Sequence, residues 1–433
     1  MKILFRFLLI FAALAAWSQS LAQNHEALPE PAMVWRCTVG DTAFNHNPAM
    51  MLGGDSVIVF DSLPYASDYT VIAVYKPAYA TETVIWNLDF GGGVLNGLTS
   101  ETVVSGGVPV RYADSTSVEP AIGTLRQSAP DSVSPHVRLT VGGGSALKVA
   151  EIRYYTARIG TRTLRRLQGA LAVRYGVTLG PVDYLDSRGV CIREYADSGL
   201  YRHRVTGLGS DSAAGVCQTR SRSEHTGSVI AMEGGTLPEG AFVTAGDDDG
   251  ELSFSHDGFA HMLGREWKTV SSVPDSTRFT LVFDTRDFTT RSDSMVLLVG
   301  AVPYPPYSVS AERVEYRGVS FPTGVSRFTL GYGDDLWRVA TEGGRSKVSE
   351  EGAGMAAGAT VYPNPTSGDY TVEVAAAGRV RVTVYNIHGA VVAVHGGDSE
   401  GVCRFNGELP SGGVYFAEVE TGNGSQTIKI VVK

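Results

Sequence analysis

Charged residues, cysteine and long apolar runs are all scarce in this sequence. Only 19% of the 433 residues are charged, and Asp and Glu outnumber Lys and Arg by 45 to 36, which gives a net charge of −9. Because no basic excess is present to neutralise phosphates, this composition argues against nucleic acid or an anionic membrane as a partner. The chain does contain 51 Gly and 43% hydrophobic residues, which favours a turn-rich β protein over a disordered one. Its length predicts two to four domains.

One apolar run stands at the N-terminus. Lys2 and Arg6 precede the run from Leu8 to Trp17, and Ser20 to Ala22 supplies the small residues that a signal peptidase requires. A transmembrane helix is the alternative, but the run is shorter than the ~20 apolar residues that cross a bilayer. We therefore predict that the first 22 residues form a signal peptide, that the mature chain begins at Gln23, and that the protein is exported.

The four cysteines are Cys37, Cys191, Cys217 and Cys403. They form no Cys-x-x-Cys pair and no Cys/His spacing of the kind that binds zinc, so they predict no metal site. Export permits disulfides, and Cys191 and Cys217 are the candidates for a bridge because they fall in one predicted domain. Separate buried thiols are the alternative, and the sequence leaves both open.

Most of the chain reads as short strands. Runs rich in Val, Ile, Tyr and Trp, such as "YTVIAVYKP" and "ETVIWNLDF", are bounded by Gly, Pro, Asp and Ser, which is typical of strands in a sandwich or jelly roll. One helix is predicted in "TLRRLQGALAVRYG", with Thr163 as its cap and Gly176 as its left-handed stop. We expect Arg162, Arg165 and Arg166 to form a solvated face of this helix.

The N-terminal region resembles a laminin-G/concanavalin-like domain of bacterial surface proteins. The resemblance rests on "YTVIAVYKP", on Ala150-Glu151-Ile152, and on the helix end from Ala170 to Leu179, which matches a Tyr-Leu-Ala-x-Lys-Tyr-Gly-x-Thr-Leu pattern except at Ala170 and Arg174. It implies a concanavalin-like jelly-roll sandwich at 31–179, ending in the predicted helix.

Residues 180–341 resemble the uncharacterised β domain that commonly follows such a helix. The matching positions are Gly207, Gly209, Asp211, Gln218, Ser221, Gly246, Asp247, Arg265, Trp267 and Lys268. That family has no established activity, so the resemblance implies a second β domain and nothing of its chemistry. The next segment, 342–360, is rich in Gly, Ala, Ser and Glu and is predicted to be a linker open to proteolysis.

The C-terminal segment 361–433 resembles a type IX secretion C-terminal sorting domain. Four ordered motifs carry the resemblance: Tyr-Pro-Asn-Pro-x-x-x-Gly, Asn-x-x-Gly, Leu-x-x-Gly-x-Tyr with one extra Gly, and a final Lys-x-x-x-Lys. Here they are Tyr362, Pro363, Asn364, Pro365 and Gly368; Asn386 and Gly389; Leu409, Gly412, Gly413, Val414 and Tyr415; Lys429 and Lys433.

This resemblance implies a fold, partners and a destination. The fold is an Ig-like β-sandwich, which makes the whole chain all-β. The partners are an outer-membrane translocon and a sortase-like peptidase that removes the domain, with attachment to anionic lipopolysaccharide as one fate of the cargo. The destination is the outer-membrane surface or the extracellular space.

Catalytic patterns are missing from the sequence. No His-Glu-x-x-His, Gly-x-Ser-x-Gly or phosphate loop occurs. In "GDDDGEL", Asp247 and Asp249 are candidate calcium ligands, but the spacing of the acids also suits a hydrated hairpin turn, which we favour. No other cofactor is predicted.

Two functions of different class remain. The first is a non-catalytic adhesin or binding protein for a glycan or protein ligand. The second is a secreted polysaccharide hydrolase, which would need two facing carboxylates. Glu82, Asp89 and Glu151 are the strand carboxylates of the first domain, and they stand in unrelated contexts. We therefore favour the binding protein.

Overall fold

The computed structural model describes residues 27–432 apart from several short segments. The segments left out are 92–94, 114–116, 131–133, 257–259, 291, 301, 334–335, 338–339, 341–357, 387–390, 410–412 and 422–423. The predicted signal peptide and most of the predicted linker lie outside the described residues. The chain divides into two compact units, the second made of 256–262, 294–305 and 326–433, and the first of the remainder.

Twelve strands form the N-terminal region. They are β1 Met33–Arg36, β2 Thr42–Phe44, β3 Asn47–Leu52, β4 Val57–Pro64, β5 Asp68–Pro77, β6 Val84–Asp89, β7 Leu95–Thr99, β8 Thr102–Ser105, β9 Val108–Arg111, β10 Ala121–Ser128, β11 His136–Gly142 and β12 Leu147–Tyr155. One sheet has the order β10-β5-β12-β3-β2, with β1 also on β12, and the other has the order β4-β11-β6-β7-β8-β9. The strands predicted from the Val- and Ile-rich runs are confirmed.

The two sheets enclose an apolar core and make the predicted sandwich. Tyr69, Trp86, Leu139 and Tyr154 are buried between them. Strand β5 is buried on both faces because its alternate residues point to different partners: Val71, Ala73 and Tyr75 face this core, whereas Ile72 and Val74 pack against the helix that follows β12.

That helix, α1, covers Thr161–Tyr175. Leu164, Leu167 and Leu171 form its buried face on β5, as the spacing predicts. It begins earlier than predicted: Gly160 is the N-cap, with no side-chain cap. Its end is confirmed, since Gly176 has φ 59°.

Among the described residues, the second region contains sixteen strands, a short α-helix and a 3-10 helix at Ser212–Ala214. They are β13 Tyr184–Leu185, β14 Cys191–Arg193, α2 Tyr195–Ser198, β15 His203–Asp211, β16 Val216–Gln218, β17 Arg220–Arg222, β18 Ile230–Gly234, β19 Phe242–Asp247, β20 Phe254–His256, β21 His261–Leu263, β22 Trp267–Ser271, β23 Phe279–Asp284, β24 Val296–Val299, β25 Val302–Tyr304, β26 Ser308–Val309, β27 Arg313–Val319 and β28 Gly324–Tyr332.

Two sheets of this region lie in the first unit. One runs β16-β15-β19-β22, and the other has the order β17-β18-β23-β27-β26. Trp267 of β22 meets Phe283 of β23 edge to face, with ring centroids 5.5 Å apart. Trp267 is therefore a core residue. In the second unit, β28 pairs with β21 and β24.

The C-terminal strands are β29 Gly358–Tyr362, β30 Asp369–Asn386, β31 Val391–Glu408, β32 Gly413–Thr421 and β33 Gly424–Val432. The long strands β30 and β31 pair along almost their whole length, whereas β29 and β32 share the other side of β30 and β33 pairs with β32. In β30, Val380, Val382 and Val384 are buried in the core. One curled sheet thus supplies both faces around this core.

The all-β fold class is confirmed. The domain boundaries and the concanavalin-like assignment of the first sandwich stay predictions. Among the described residues, no helix is long and apolar enough to cross a bilayer.

Candidate functional site: the motif-bearing end of the C-terminal sheet

Asn364 links the first sorting motif to the last strand of the chain. Its side-chain Nδ2 donates to the Lys429 carbonyl oxygen over 2.6 Å, and the Val431 amide donates to its Oδ1 over 2.9 Å. Pro363 and Pro365 flank it and have no N–H to offer a neighbouring strand. The Asn side chain therefore supplies the donor and the acceptor that a strand backbone would present to β33.

The chain continues along β33 after the two prolines. The Thr366 amide donates to the Val431 carbonyl oxygen over 2.8 Å, and Thr366 forms a parallel bridge with Val432. The buried Thr366 hydroxyl accepts a hydrogen bond from the Gly368 amide. This segment therefore closes the sheet against its last strand.

The third motif meets the first at Gly368. The Leu409 amide donates to the Gly368 carbonyl oxygen over 3.0 Å, and the Leu409 side chain is buried in the core of the sheet. Gly368 has φ 137°, a conformation that favours glycine over other residues. A side chain at this position would strain the turn that joins the two motifs.

The second motif meets the third through strand pairing. Asn386, the last residue of β30, lies opposite Tyr415 of β32, and Tyr415 lies opposite Ile430 of β33. Gly413 is paired with Val432, and Lys429 with Phe416. The described members of all four motifs therefore gather at one end of the sheet.

Tyr362 occupies the surface near this end. Its hydroxyl donates to Glu373 Oε2 over 3.0 Å, and the Arg404 guanidinium binds the same carboxylate over 2.6 Å. These two hydrogen bonds, that of Arg404 being the stronger influence, hold the pKa of Glu373 below its ordinary value. Gly389, Gly412 and Lys433 lie outside the described residues. The assignment of individual motif residues to sorting stays a prediction.

The calcium candidates are held by an arginine. Arg204 Nε and Nη2 bind the Asp247 carboxylate over 2.9 and 2.5 Å, and Nη2 also binds Asp249. The Asp249 amide donates to Asp247 Oδ1, as in an Asx turn. Among the described residues, no three His, Cys, Asp or Glu side chains are grouped to hold a metal ion. This arrangement agrees with a hydrated hairpin turn, which we favour for this segment. Calcium binding by Asp247 and Asp249 stays a prediction.

Cys191 on β14 and Cys217 on β16 are both exposed, and the Cys217 thiol is free. The structure thus contains no bridge between them, and the disulfide stays a prediction for the exported protein. Cys37 is buried and Cys403 is half-buried.

Glu151, one of the strand carboxylates of the first region, is a buried centre of charge. Its carboxylate binds Arg36 over 2.8 Å, Arg153 over 2.5 Å, Arg174 over 3.5 Å and the Tyr175 hydroxyl over 2.7 Å. Burial by itself would raise the pKa of Glu151, but Arg153 and the hydrogen bonds from Arg36 and Tyr175 outweigh it and lower this pKa to about 2. The sequence carries one signal of this network, since Glu151 and Arg153 stand two residues apart in a strand rich in apolar residues.

The predicted arginine face of α1 is also only partly solvated. Arg162 and Arg165 are not buried, but Arg166 is, and its Nε donates to the Ser187 carbonyl oxygen over 2.6 Å. The prediction is wrong for Arg166 because the segment after α1 folds back over that side of the helix.

A second buried network joins the sandwich to the region that follows it. Asn45 Nδ2 donates to the carbonyl oxygens of Val173 and Arg174 at the end of α1, and its Oδ1 accepts from the Arg222 amide over 2.6 Å. The Asn45 amide donates to Glu224 Oε1 over 2.8 Å. Glu224 in turn binds Lys148 of β12 over 2.9 Å.

Two family models match the chain. A domain of unknown function (DUF8202) matches residues 163–305, and the secretion system C-terminal sorting domain matches residues 360–433. The C-terminal segment is therefore a sorting domain of the type IX secretion machinery, and the protein is exported to the cell surface or the extracellular space. No curated protein matches the chain.

Several solved structures show a distant likeness. A β-glucuronidase from Ruminococcus gnavus is 10% identical, with a TM-score of 0.13, over 42% of this chain and 47% of its own. A Paenibacillus cycloisomaltooligosaccharide glucanotransferase is 9% identical, with a TM-score of 0.15, over 70% and 46%. The BSP domain of a biofilm associated protein is 11% identical, with a TM-score of 0.16, over 92% and 83%. The chain spans about half the length of the first two of these proteins.

Proposed function

We propose that this protein is a non-catalytic binding protein, an adhesin for a glycan or protein ligand, which the type IX machinery delivers to the cell surface. The sorting domain at 360–433 accounts for delivery. The cargo is the part of the mature chain that precedes the predicted linker at 342–360. Removal of the sorting domain by a sortase-like peptidase, and attachment to anionic lipopolysaccharide, belong to the same proposal.

The state of the carboxyl groups supports binding over hydrolysis. A glycosidase needs a carboxyl whose raised pKa keeps it protonated as the general acid. The buried carboxylates of this part of the chain are held by cationic groups: Glu151 binds Arg36, Arg153 and Arg174, and Glu224 binds Lys148. This geometry supports the proposal, because a carboxylate held in such ion pairs stays ionised and cannot protonate a leaving group.

The delivery step is tested by mass. Intact-mass and peptide mapping would be applied to protein from washed cells and from medium, in the native host with and without the outer-membrane translocon. We expect the 360–433 peptides to be missing from surface or released protein, and the uncut chain to accumulate in the periplasm without the translocon. A full chain that stays periplasmic in both strains would contradict the proposal.

The binding step is tested on the released cargo. It is applied to glycan and host-protein arrays, and the same glycans are then assayed for new reducing ends. Retention on an array without new reducing ends supports a binding protein. Release of new reducing ends that disappears with a single carboxylate substitution would establish the hydrolase instead.

A further inference from the structure

A groove lined by arginines crosses the outer face of the sheet β17-β18-β23-β27-β26. The inner residues of these strands are apolar, whereas the outward positions pair in rows across the sheet. One row is Arg222, Ala231, Val282 and Glu315, in strand order. The floor of the row is therefore made of two small apolar side chains, and the charged side chains stand at its margins.

The cationic groups reach further into solvent than their acidic neighbours. Five arginines surround the face and are 52 to 62% exposed; these are Arg220, Arg222, Arg286, Arg313 and Arg317. Their partners Glu224, Glu233, Asp284 and Glu315 are 6 to 39% exposed. Arg313 and Arg317 share the single carboxylate of Glu315. An approaching ligand thus meets guanidinium groups first, although the whole protein carries a net charge of −9.

The groove has the size of a ligand site and continues beyond the sheet. A cleft of about 590 Å³ is lined by Arg222, Ala231, Val282, Arg313 and, at its far end, Lys76 of β5. This volume falls within the range of natural ligand pockets. At the other margin Tyr307 is 61% exposed, and Arg317 lies 3.6 Å from the centre of its ring.

We propose that this arginine groove binds an extended acidic polysaccharide, one whose sugars carry carboxylate, sulfate or phosphate groups. The inference rests on the proposed binding function and names its ligand class. Guanidinium groups bind such anions through two parallel hydrogen bonds. The interleaved carboxylates accept hydrogen bonds from sugar hydroxyls, and the Ala231 and Val282 floor packs against the apolar faces of the rings.

Mixed charge is what favours a glycan over a nucleic acid. Nucleic-acid surfaces neutralise a continuous row of phosphates and are strongly basic. Here Glu233, Asp284 and Glu315 stand between the arginines and can accept hydrogen bonds, but the phosphodiester backbone of DNA has no hydroxyl groups to donate to them. A polysaccharide presents hydroxyl donors between its anionic groups, and these suit the carboxylates.

The test measures binding of the purified full chain to four polymers: polygalacturonate, dextran sulfate, neutral dextran and single-stranded DNA. We expect the two anionic glycans to bind and dextran to fail, with affinity falling as salt rises. The carboxylated and sulfated arms identify the preferred anion. Equal affinity for DNA would overturn the assignment to a glycan, and failure of both anionic glycans would overturn the groove proposal altogether.

A matched pair of variants locates the site. R222Q/R313Q removes one arginine from each margin of the groove. We expect Kd to rise at least tenfold, because the loss of even one charge-assisted hydrogen bond has about that effect. R138Q/R404Q removes two similarly exposed arginines from other surfaces and makes the same change in net charge. We expect its Kd to change less than twofold, with both variants melting as the parent does.

The outcomes separate this proposal from the broader one. An equal loss in both variants would assign the binding to net charge and overturn the groove. Binding that neither variant weakens would place the ligand elsewhere, so the groove would fall while the binding function stands. Shortening of the polygalacturonate by the parent chain would overturn the binding function itself.

Discussion

The first unit and the C-terminal sheet close their β structure by different means. In the first unit, buried ionic and polar side chains join segments that are far apart in sequence, as with the hydrogen bond between Asn45 and Glu224 across 179 residues. In the C-terminal sheet, every residue of the core lies between Ala359 and Val432, and closure relies on Asn364, an exposed side chain. The first unit thus adds buried ionic and polar contacts between distant segments to its apolar cores, whereas the C-terminal sheet closes within its own residues.

The difference suits the fate proposed for each part. Removing one member of a buried ion pair is strongly destabilising, because the remaining charge stays buried without a partner. If the sorting domain is removed after export, as proposed, a core made only of its own residues allows its removal without exposing apolar residues of the cargo. Variants in the two parts should therefore differ in the size of their effects, and the predictions follow from the largest to the smallest.

Glu151→Gln should be the most destabilising of these substitutions. It leaves Arg153 and Arg174 buried without their shared carboxylate, and breaking a buried ion pair costs about 3–5 kcal/mol. Denaturant unfolding of the cargo measures this. Asp61→Asn is the control, because Asp61 pairs with Arg138 at a fully hydrated position, where the expected change is within about 0.5 kcal/mol. Equal effects of the two variants would contradict the contrast between buried and surface charge.

Asn45→Ala should come next. It strands the Val173 carbonyl oxygen and the Arg222 amide, whereas the Arg174 carbonyl oxygen keeps its hydrogen bond from Asn47. Unsatisfied buried groups cost about 1–3 kcal/mol each. We expect the free energy of unfolding, measured with denaturant, to fall by about 3 kcal/mol. The backbone offsets part of the full cost by relaxing around the substituted residue. Asn87→Ala, at a half-buried position of β6, is the comparison. A loss no greater than that of the comparison would show that Asn45 does not join the two regions.

These two residues also mark the limit of what the sequence could predict. The strands, α1 and its stop at Gly176 follow from local patterns, because periodicity and turn chemistry act over a few residues. Asn45 bonds to Glu224 across 179 residues, and Glu151 bonds to Arg36 across 115 residues. No local pattern encodes such distances. The motif containing Asn364 was recognisable, but its bond to Lys429, 65 residues on, was not.

His225 should make the cargo sensitive to acid. Its Nε2 accepts a hydrogen bond from the Thr178 amide, and its Nδ1 faces Glu119 over 3.2 Å. Burial lowers the pKa of His225 to about 4, with Lys76 and Arg204 acting in the same direction and Glu119 against them. The unfolded chain takes up this proton near pH 6.5, so the stability that the neutral ring confers is present above pH 6.5 and falls as pH approaches 4.

The expected loss across that range is about 2–3 kcal/mol, measured by unfolding at each pH. His225→Gln keeps an acceptor for Thr178 but cannot titrate, and it should flatten the profile between pH 6.5 and 4. His136→Gln, at an exposed position, should leave the profile as it is in the parent. Parallel profiles for the parent and His225→Gln would assign the acid sensitivity to carboxylates instead.

Asn364→Ala should have the smallest effect on stability and the most specific effect on export. It removes two hydrogen bonds to β33 at the surface, a loss of about 1–2 kcal/mol, and leaves the core of the sheet in place. Asn406→Ala is the control. Asn406 is exposed on β31, and its one described side-chain hydrogen bond comes from the Thr371 hydroxyl.

Export of the two variants is then compared. If the machinery recognises the closed end of the sheet, Asn364→Ala leaves uncut chain in the periplasm, whereas Asn406→Ala is exported normally. Normal export of both variants would mean that the signal lies elsewhere on the sheet. Retention of both would mean that the machinery responds to the stability of the domain, because the two substitutions share only that property.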